Sequence, residues 1–207
     1  MKNKRLELKV KKILEDSGQQ FRPYKYIIRE IIREHRDFDL LKDRKIIELG
    51  PGDNFTLINY LSQFTYVEAA GLSFALQNKP KYLREEYIYD YLASKKNNSV
   101  DLIYSRIVME EHSFEAPLLL QSDAYKRLMT EGPSHDLWMQ YPGSLQYIMS
   151  CYKEMRRVLK TGGIIISHVG NRLKSRFHNS HFEQETGLHM VISYPIRLFG
   201  QMWVYRK

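Results

Sequence analysis

The sequence is almost without cysteine. Cys151 is the single one among 207 residues, so neither an intrachain disulfide nor an all-cysteine metal site can form. Long apolar runs are missing as well. Those at 163–167 and 117–120 are among the longest, far short of the ~20 residues that cross a bilayer. The opening MKNKRLELKVKKILED scatters charge throughout and holds no apolar stretch, which excludes a secretory signal there. Internal repeats and low-complexity tracts are absent. These absences point to a cytoplasmic protein with no membrane span. What is present is a globular composition, 43% hydrophobic and 27% charged, at one domain's length.

The net charge of +8 is unevenly spread. Residues 1–45 hold 14 Lys and Arg against 8 Asp and Glu, whereas the remaining 162 hold 18 against 16. A basic leader attracts phosphates through its field, but a solvated helix face accounts for the same residues. The leader reads as two helices. Leu6, Val10, Ile13 and Leu14 keep helical spacing up to Ser17 and Gly18, and Pro23 suits the first turn of a second run. In that run Ile27, Ile28, Ile31 and Ile32 form one broad apolar stripe.

From Lys45 the pattern changes to short apolar runs alternating with helical periods, the sequence form of βαβ units. Strands are expected at Lys45–Gly50, Tyr66–Ser73, Tyr87–Asp90, Val100–Ser105 and Gly163–Val169. An antiparallel pair is expected near Leu188–Tyr194 and Gln201–Arg206. A helix is expected over Leu145–Lys160, capped by Ser144 and ended by Gly162. The long stretch Glu111–Gly143 is expected to fold over something, as a lid with hinges at Gly132-Pro133 and Pro142-Gly143.

The chemistry-bearing segment is Glu48-Leu49-Gly50-Pro51-Gly52, where a buried strand enters a tight two-glycine turn before the helical pattern Phe55, Leu57, Ile58, Leu61. Glycines there let the backbone approach a ligand closely. A dinucleotide site would want a third glycine at position 55 and meets Phe55 instead. Two further motifs follow in order: Asn98–His112, a strand with N-S-V-D-L-I-Y leading to M-E-E-H, and Met155–Gly163, reading M-R-R-V-L-K-T-G-G.

The ordered set, over residues 44–170, resembles the class I S-adenosylmethionine-dependent methyltransferases, and within them the small-molecule, ubiquinone-biosynthesis-like branch. The resemblance implies an α/β fold: a Rossmann-like, seven-stranded, mostly parallel sheet with helices on both faces, behind a helical N-terminal leader. It also implies a single methyltransferase-like domain over 1–207, with a leader at 1–40, a cofactor-binding core at 44–170 and a C-terminal strand pair at 171–207. The cofactor would be S-adenosylmethionine. Gly50 and Gly52 would cradle its methionine part, with Glu48 near the ammonium group. Asp90 would bond the adenine amino group, and Ser105 would line the pocket beside the reacting methyl.

Two positions depart from the family pattern. Asn54 stands where a third glycine is usual, and Asn tolerates left-handed backbone. Ser73 stands where an acidic residue takes both ribose hydroxyls, leaving Glu68 or Gln77 to compensate. Methyl transfer depends mainly on alignment and water exclusion, and a general base helps with hydroxyl acceptors. His168, expected just beyond the fifth strand, is the candidate base, with His112, beyond the fourth, the weaker one. The expected partner is a small or medium-sized acceptor, methylated at O, N or C. A non-catalytic binding protein of the same fold, suggested by Ser73, and an RNA methyltransferase, suggested by the leader, are the alternatives. His178, His181 and His189 with Glu183 and Glu185 fit no standard zinc spacing, so no metal is expected.

Overall fold

The computed structural model describes residues 2–17, 20–36, 38–51, 55–71, 80–106, 142–169, 179–196 and 200–207. Helix α1 (Lys2–Asp16) and helix α2 (Lys25–His35) form the leader, with a 3₁₀ turn at Arg22–Tyr24 between them. Strand β1 (Lys45–Leu49) leads to α3 (Thr56–Leu61), followed by β2 (Tyr66–Ala70), β3 (Leu83–Arg84) and α4 (Ile88–Ala93). Then come β4 (Val100–Arg106), α5 (Pro142–Val158), β5 (Leu159–Val169), α6 (Asn179–Thr186), β6 (His189–Ile196) and β7 (Gly200–Arg206).

The strands form one seven-stranded sheet in the order β3-β2-β1-β4-β5-β7-β6. Strand β7 runs antiparallel to both β5 and β6, and every other pairing is parallel. The expected sheet, helices on both faces and helical leader are all there. Alternation along β1 explains the two layers. Ile46 packs with the leader isoleucines, α3 and the Leu102, Tyr104, Ile164 and Ile166 face. Ile47 and Leu49 pack on the opposite side with α4, α5 and α6. Ile27, Ile28, Ile31 and Ile32 are all buried, at about 1.5–3 kcal/mol of apolar burial each, so the leader is part of the core.

Ion pairs tie the edges. Asp101 accepts from Arg44 (3.0 Å), Lys160 (2.8 Å) and the Lys45 amide (2.9 Å). Burial would raise its carboxyl, but these donors hold it below the ordinary range. Arg157, in the last turn of α5, donates to the carbonyls of Leu92 (2.7 Å) and Lys95 (2.8 Å), closing the C-terminal end of α4.

Two expected elements are corrected. The third strand is not Tyr87–Asp90 but the two-residue Leu83–Arg84, and Tyr87 precedes a helix. The tyrosines at 87, 89 and 91 alternate as a strand would, yet the buried residues are Ile88, Tyr91 and Leu92, at helical spacing. The long helix starts at Pro142 and ends at Val158, with Leu159 already in the sheet, so Gly162 (φ +78°) sits in an irregular stretch of β5 rather than behind the helix.

Candidate functional site

Strand order reverses between β1 and β4, the place where open α/β sheets bind ligands at their carboxyl ends. Residues at that edge are fixed by register: Glu48 lies opposite Tyr104, Leu49 opposite Ser105, and Arg106 opposite His168. Gly50 follows β1 with φ +62°, and its amide donates to the Ala70 carbonyl at 2.8 Å. Gly71, directly after β2 with φ +152°, lies against it. A Cβ there would stand 3.1 Å from the Gly50 Cα, so only glycine allows the turn after β1 to press this close to β2.

One sheet face at this edge is polar. Glu48 is 1% exposed and accepts from the Tyr104 hydroxyl at 3.0 Å. Burial pushes its carboxyl up to about 8, against hydrogen bonds from Tyr104 and Tyr24 and the charge of Arg106, which pull it down. Tyr24 comes from the leader's 3₁₀ turn. Burial and the Glu48 charge push its phenol well up, while Arg106 acts the other way. The Arg106 guanidinium lies 5.4 Å from the centre of the Tyr24 ring. Alternation from Ile164 and Ile166 puts the buried His168 on this same face, next to Arg106.

The opposite face carries a hydroxyl chain beneath the edge. Ser105 donates to Ser167 at 3.2 Å, and Tyr152 of α5 donates to Ser167 at 3.1 Å. Outside it, Tyr87, Tyr89, Asp90, Tyr147 and Ser150 line a cleft of about 290 Å³ between α4 and α5.

No family model matches the sequence, and no curated protein does. Solved structures do match in fold. A SAM-dependent methyltransferase from Aquifex aeolicus aligns over 95% of this chain and 96% of its own, at 14% identity and a TM-score of 0.50. A second, from Archaeoglobus fulgidus, aligns over 94% and 98%, at 10% identity and a TM-score of 0.52. The chain has the class I methyltransferase fold.

Against that fold the expected site residues divide. Glu48, Gly50 and Ser105 meet at the β1–β4 carboxyl edge, and His168 lies one strand further along it. Glu48 and Ser105 point to opposite sheet faces: Glu48 lies with Tyr104 under the leader, Ser105 with Tyr152 under α5. Asp90 does not end a strand; it is an exposed residue in the first turn of α4, six positions beyond Arg84. Glu85 and Glu86 are the acidic residues directly after β3. Gly52, Asn54, Ser73, Gln77 and His112 lie outside the described residues, as does the segment expected to be a lid, up to Tyr141.

Glu68 is not free to replace the ribose carboxylate. It receives Lys45 at 2.8 Å, Tyr66 at 3.0 Å, and Lys95 and Tyr91 besides. Burial would raise it, but these donors hold it at about 2. Glu183 and Glu185 are likewise engaged, by the Met190 amide (2.7 Å) and Lys153 (2.9 Å). Tyr24 and Arg106 were missed by sequence reasoning. Arg106 had a usable signal, since it follows Ser105 at the end of the fourth strand, whereas Tyr24 is distant in sequence and carried none.

Proposed function

We propose that the chain transfers the methyl group of S-adenosylmethionine to a small or medium-sized acceptor in the cytoplasm. The observation that carries this reading is the glycine turn after β1, pressed against Gly71 at the point where strand order reverses. The three ordered motifs, nearest to the ubiquinone-biosynthesis-like branch, support it. When bound, the cofactor supplies an electrophilic methyl on its sulfonium. Gly50 and Gly52 admit the methionine part, and Glu48 and Ser105 flank it on the two sheet faces. Adenine recognition falls to the acidic residues past β3, Asp90 by the family resemblance and Glu85 by its place at the strand end.

His168 serves as base for a hydroxyl acceptor, buried on the leader side beside Arg106. His168→Asn then lowers turnover at least about tenfold and leaves product affinity unchanged, because a base acts on the acceptor only. Calorimetric titration with S-adenosylmethionine and S-adenosylhomocysteine tests the cofactor assignment. Binding of both supports it, and binding of neither at millimolar concentration removes it.

A second reading, a binding protein of this fold with weakened cofactor affinity, is favoured by the saturation of Glu68 together with Ser73. The RNA reading is weaker. Leader and flanking cations are partly engaged internally, Arg29 with Glu7 (3.1 Å), Arg33 with Glu30 (2.8 Å) and Arg44 with Asp101 (3.0 Å). Among the described residues no helix is long and apolar enough to cross a membrane.

A further inference from the structure

Helix α1 (KNKRLELKVKKILED) docks through one face and leaves the other outward. Val10 is buried, and Leu6, Ile13 and Leu14 pack against the same leader-side core. Leu8 is not part of that stripe. It is 66% exposed, the most exposed large apolar side chain among the described residues. Lys4 and Arg5 stand one turn before it and Lys11 and Lys12 one turn after, so exposed cations ring it at i ± 3 and i ± 4.

These cations are largely uncompensated. Lys11 pairs with Glu15 at 3.5 Å, whereas Lys4, Arg5 and Lys12 make no ion pair among the described residues. Glu7, the carboxylate next to Leu8, is held by Arg29 of α2 at 3.1 Å. Lys4, Glu7, Leu8 and Lys11 line an open groove of about 390 Å³. A lone exposed leucine carries little meaning, but one centred in a ring of long cationic side chains makes a face with an apolar middle and a positive rim.

That combination selects the partner. A polynucleotide would use the cations, yet α1 has no aromatic side chain on which a base could stack, and its cations are lysines apart from Arg5. An anionic bilayer uses both features. Its headgroups meet the ammonium groups, while the lysine stems and Leu8 lie against the edge of the hydrocarbon. We propose that the outer face of α1 seats the protein on a bilayer carrying anionic lipid, with Leu8 entering the interface and Lys4, Arg5, Lys11 and Lys12 on the headgroups. The contact is peripheral and reversible, since a single leucine with a few cations falls short of a stable anchor. It is independent of the cofactor reading, because α1 carries none of the residues at the β1–β4 edge.

The test sediments the full chain with vesicles of phosphatidylcholine alone and of phosphatidylcholine with about 30% phosphatidylserine. Binding is expected to the mixed vesicles only, falling at least about tenfold as salt is raised from about 0.1 to about 0.5 M. Lys4→Gln together with Lys12→Gln weakens it at least about tenfold, and Leu8→Ala at least about threefold. All three side chains are exposed, so thermal unfolding and S-adenosylhomocysteine affinity stay as in the wild type. Equal binding to both vesicles, binding to neither, or an affinity that Leu8→Ala leaves unaltered overturns the proposal. So does a short oligo-uridine RNA that binds more tightly than the mixed vesicles and is lost in the lysine variant but not in Leu8→Ala, which would make this a nucleic-acid face. A chain that seats on the mixed vesicles but binds no S-adenosylhomocysteine removes the cofactor reading and leaves this proposal standing.

Discussion

Replacing Glu48 with glutamine isolates the cost of burying an ionisable group beneath the leader. The carboxyl is 1% exposed, and its midpoint rises from 4.5 to about 8 on folding. Between those values the folded chain holds a proton that the unfolded chain has released. Stability from this group is therefore complete below about pH 4.5 and falls as pH rises towards 8, by about 1.4 kcal/mol per pH unit. Glutamine keeps the shape and cannot ionise. From about pH 5.5 to about pH 7.5 the wild type should thus lose roughly 3 kcal/mol relative to Glu48→Gln. For a chain of this size that is about 5–10 °C in Tm.

His35, whose midpoint burial lowers, acts in the opposite sense near pH 6, but it is common to both proteins and cancels in the difference. Thermal unfolding followed by circular dichroism at a series of pH values measures the gap directly. A gap constant across that range refutes the reasoning, because it would mean that Glu48 is ionised throughout.

Three further outcomes follow from particular contacts. Glu68→Gln leaves Lys45 and Lys95 without their shared carboxylate and should cost about 2 kcal/mol near neutral pH in urea unfolding. With its folded midpoint at about 2, the Glu68 contribution is present above 4.5, so the gap to wild type should close as pH falls towards 2. Arg157→Met strips the cap from the Leu92 and Lys95 carbonyls and should lower Tm by about 4–8 °C, with early hydrogen exchange in α4. Gly71→Ala sets a Cβ 3.1 Å from the Gly50 Cα at φ +152°, and should weaken S-adenosylhomocysteine at least about tenfold while costing about 1–3 kcal/mol of stability.

What the sequence made legible was whatever has a local period or a turn. The run Ile46–Leu49 ending in Gly50 announced β1, and the isoleucines of α2 announced a buried leader helix, because burial on one face leaves a repeating mark. Strand β3 left none. Two residues at the sheet edge are too few for alternation to register, and the neighbouring tyrosines mimic a strand while their backbone is helical. The polar groups behaved in the same way. Glu48 and Gly50 could be read from one short motif, but the Tyr24 phenol that bonds Glu48 and the Arg106 guanidinium whose charge acts on it come from far along the chain in both directions. Nor does sequence spacing reveal that Lys45, Lys95, Tyr66 and Tyr91 all converge on Glu68.

The central claim is that the reversal point between β1 and β4 holds S-adenosylmethionine, and titration calorimetry of the full chain with S-adenosylhomocysteine tests it most directly. The account predicts saturable, one-to-one binding with a Kd below about 100 μM. Absence of any binding heat at millimolar ligand, from a chain that circular dichroism shows to be folded, would contradict it.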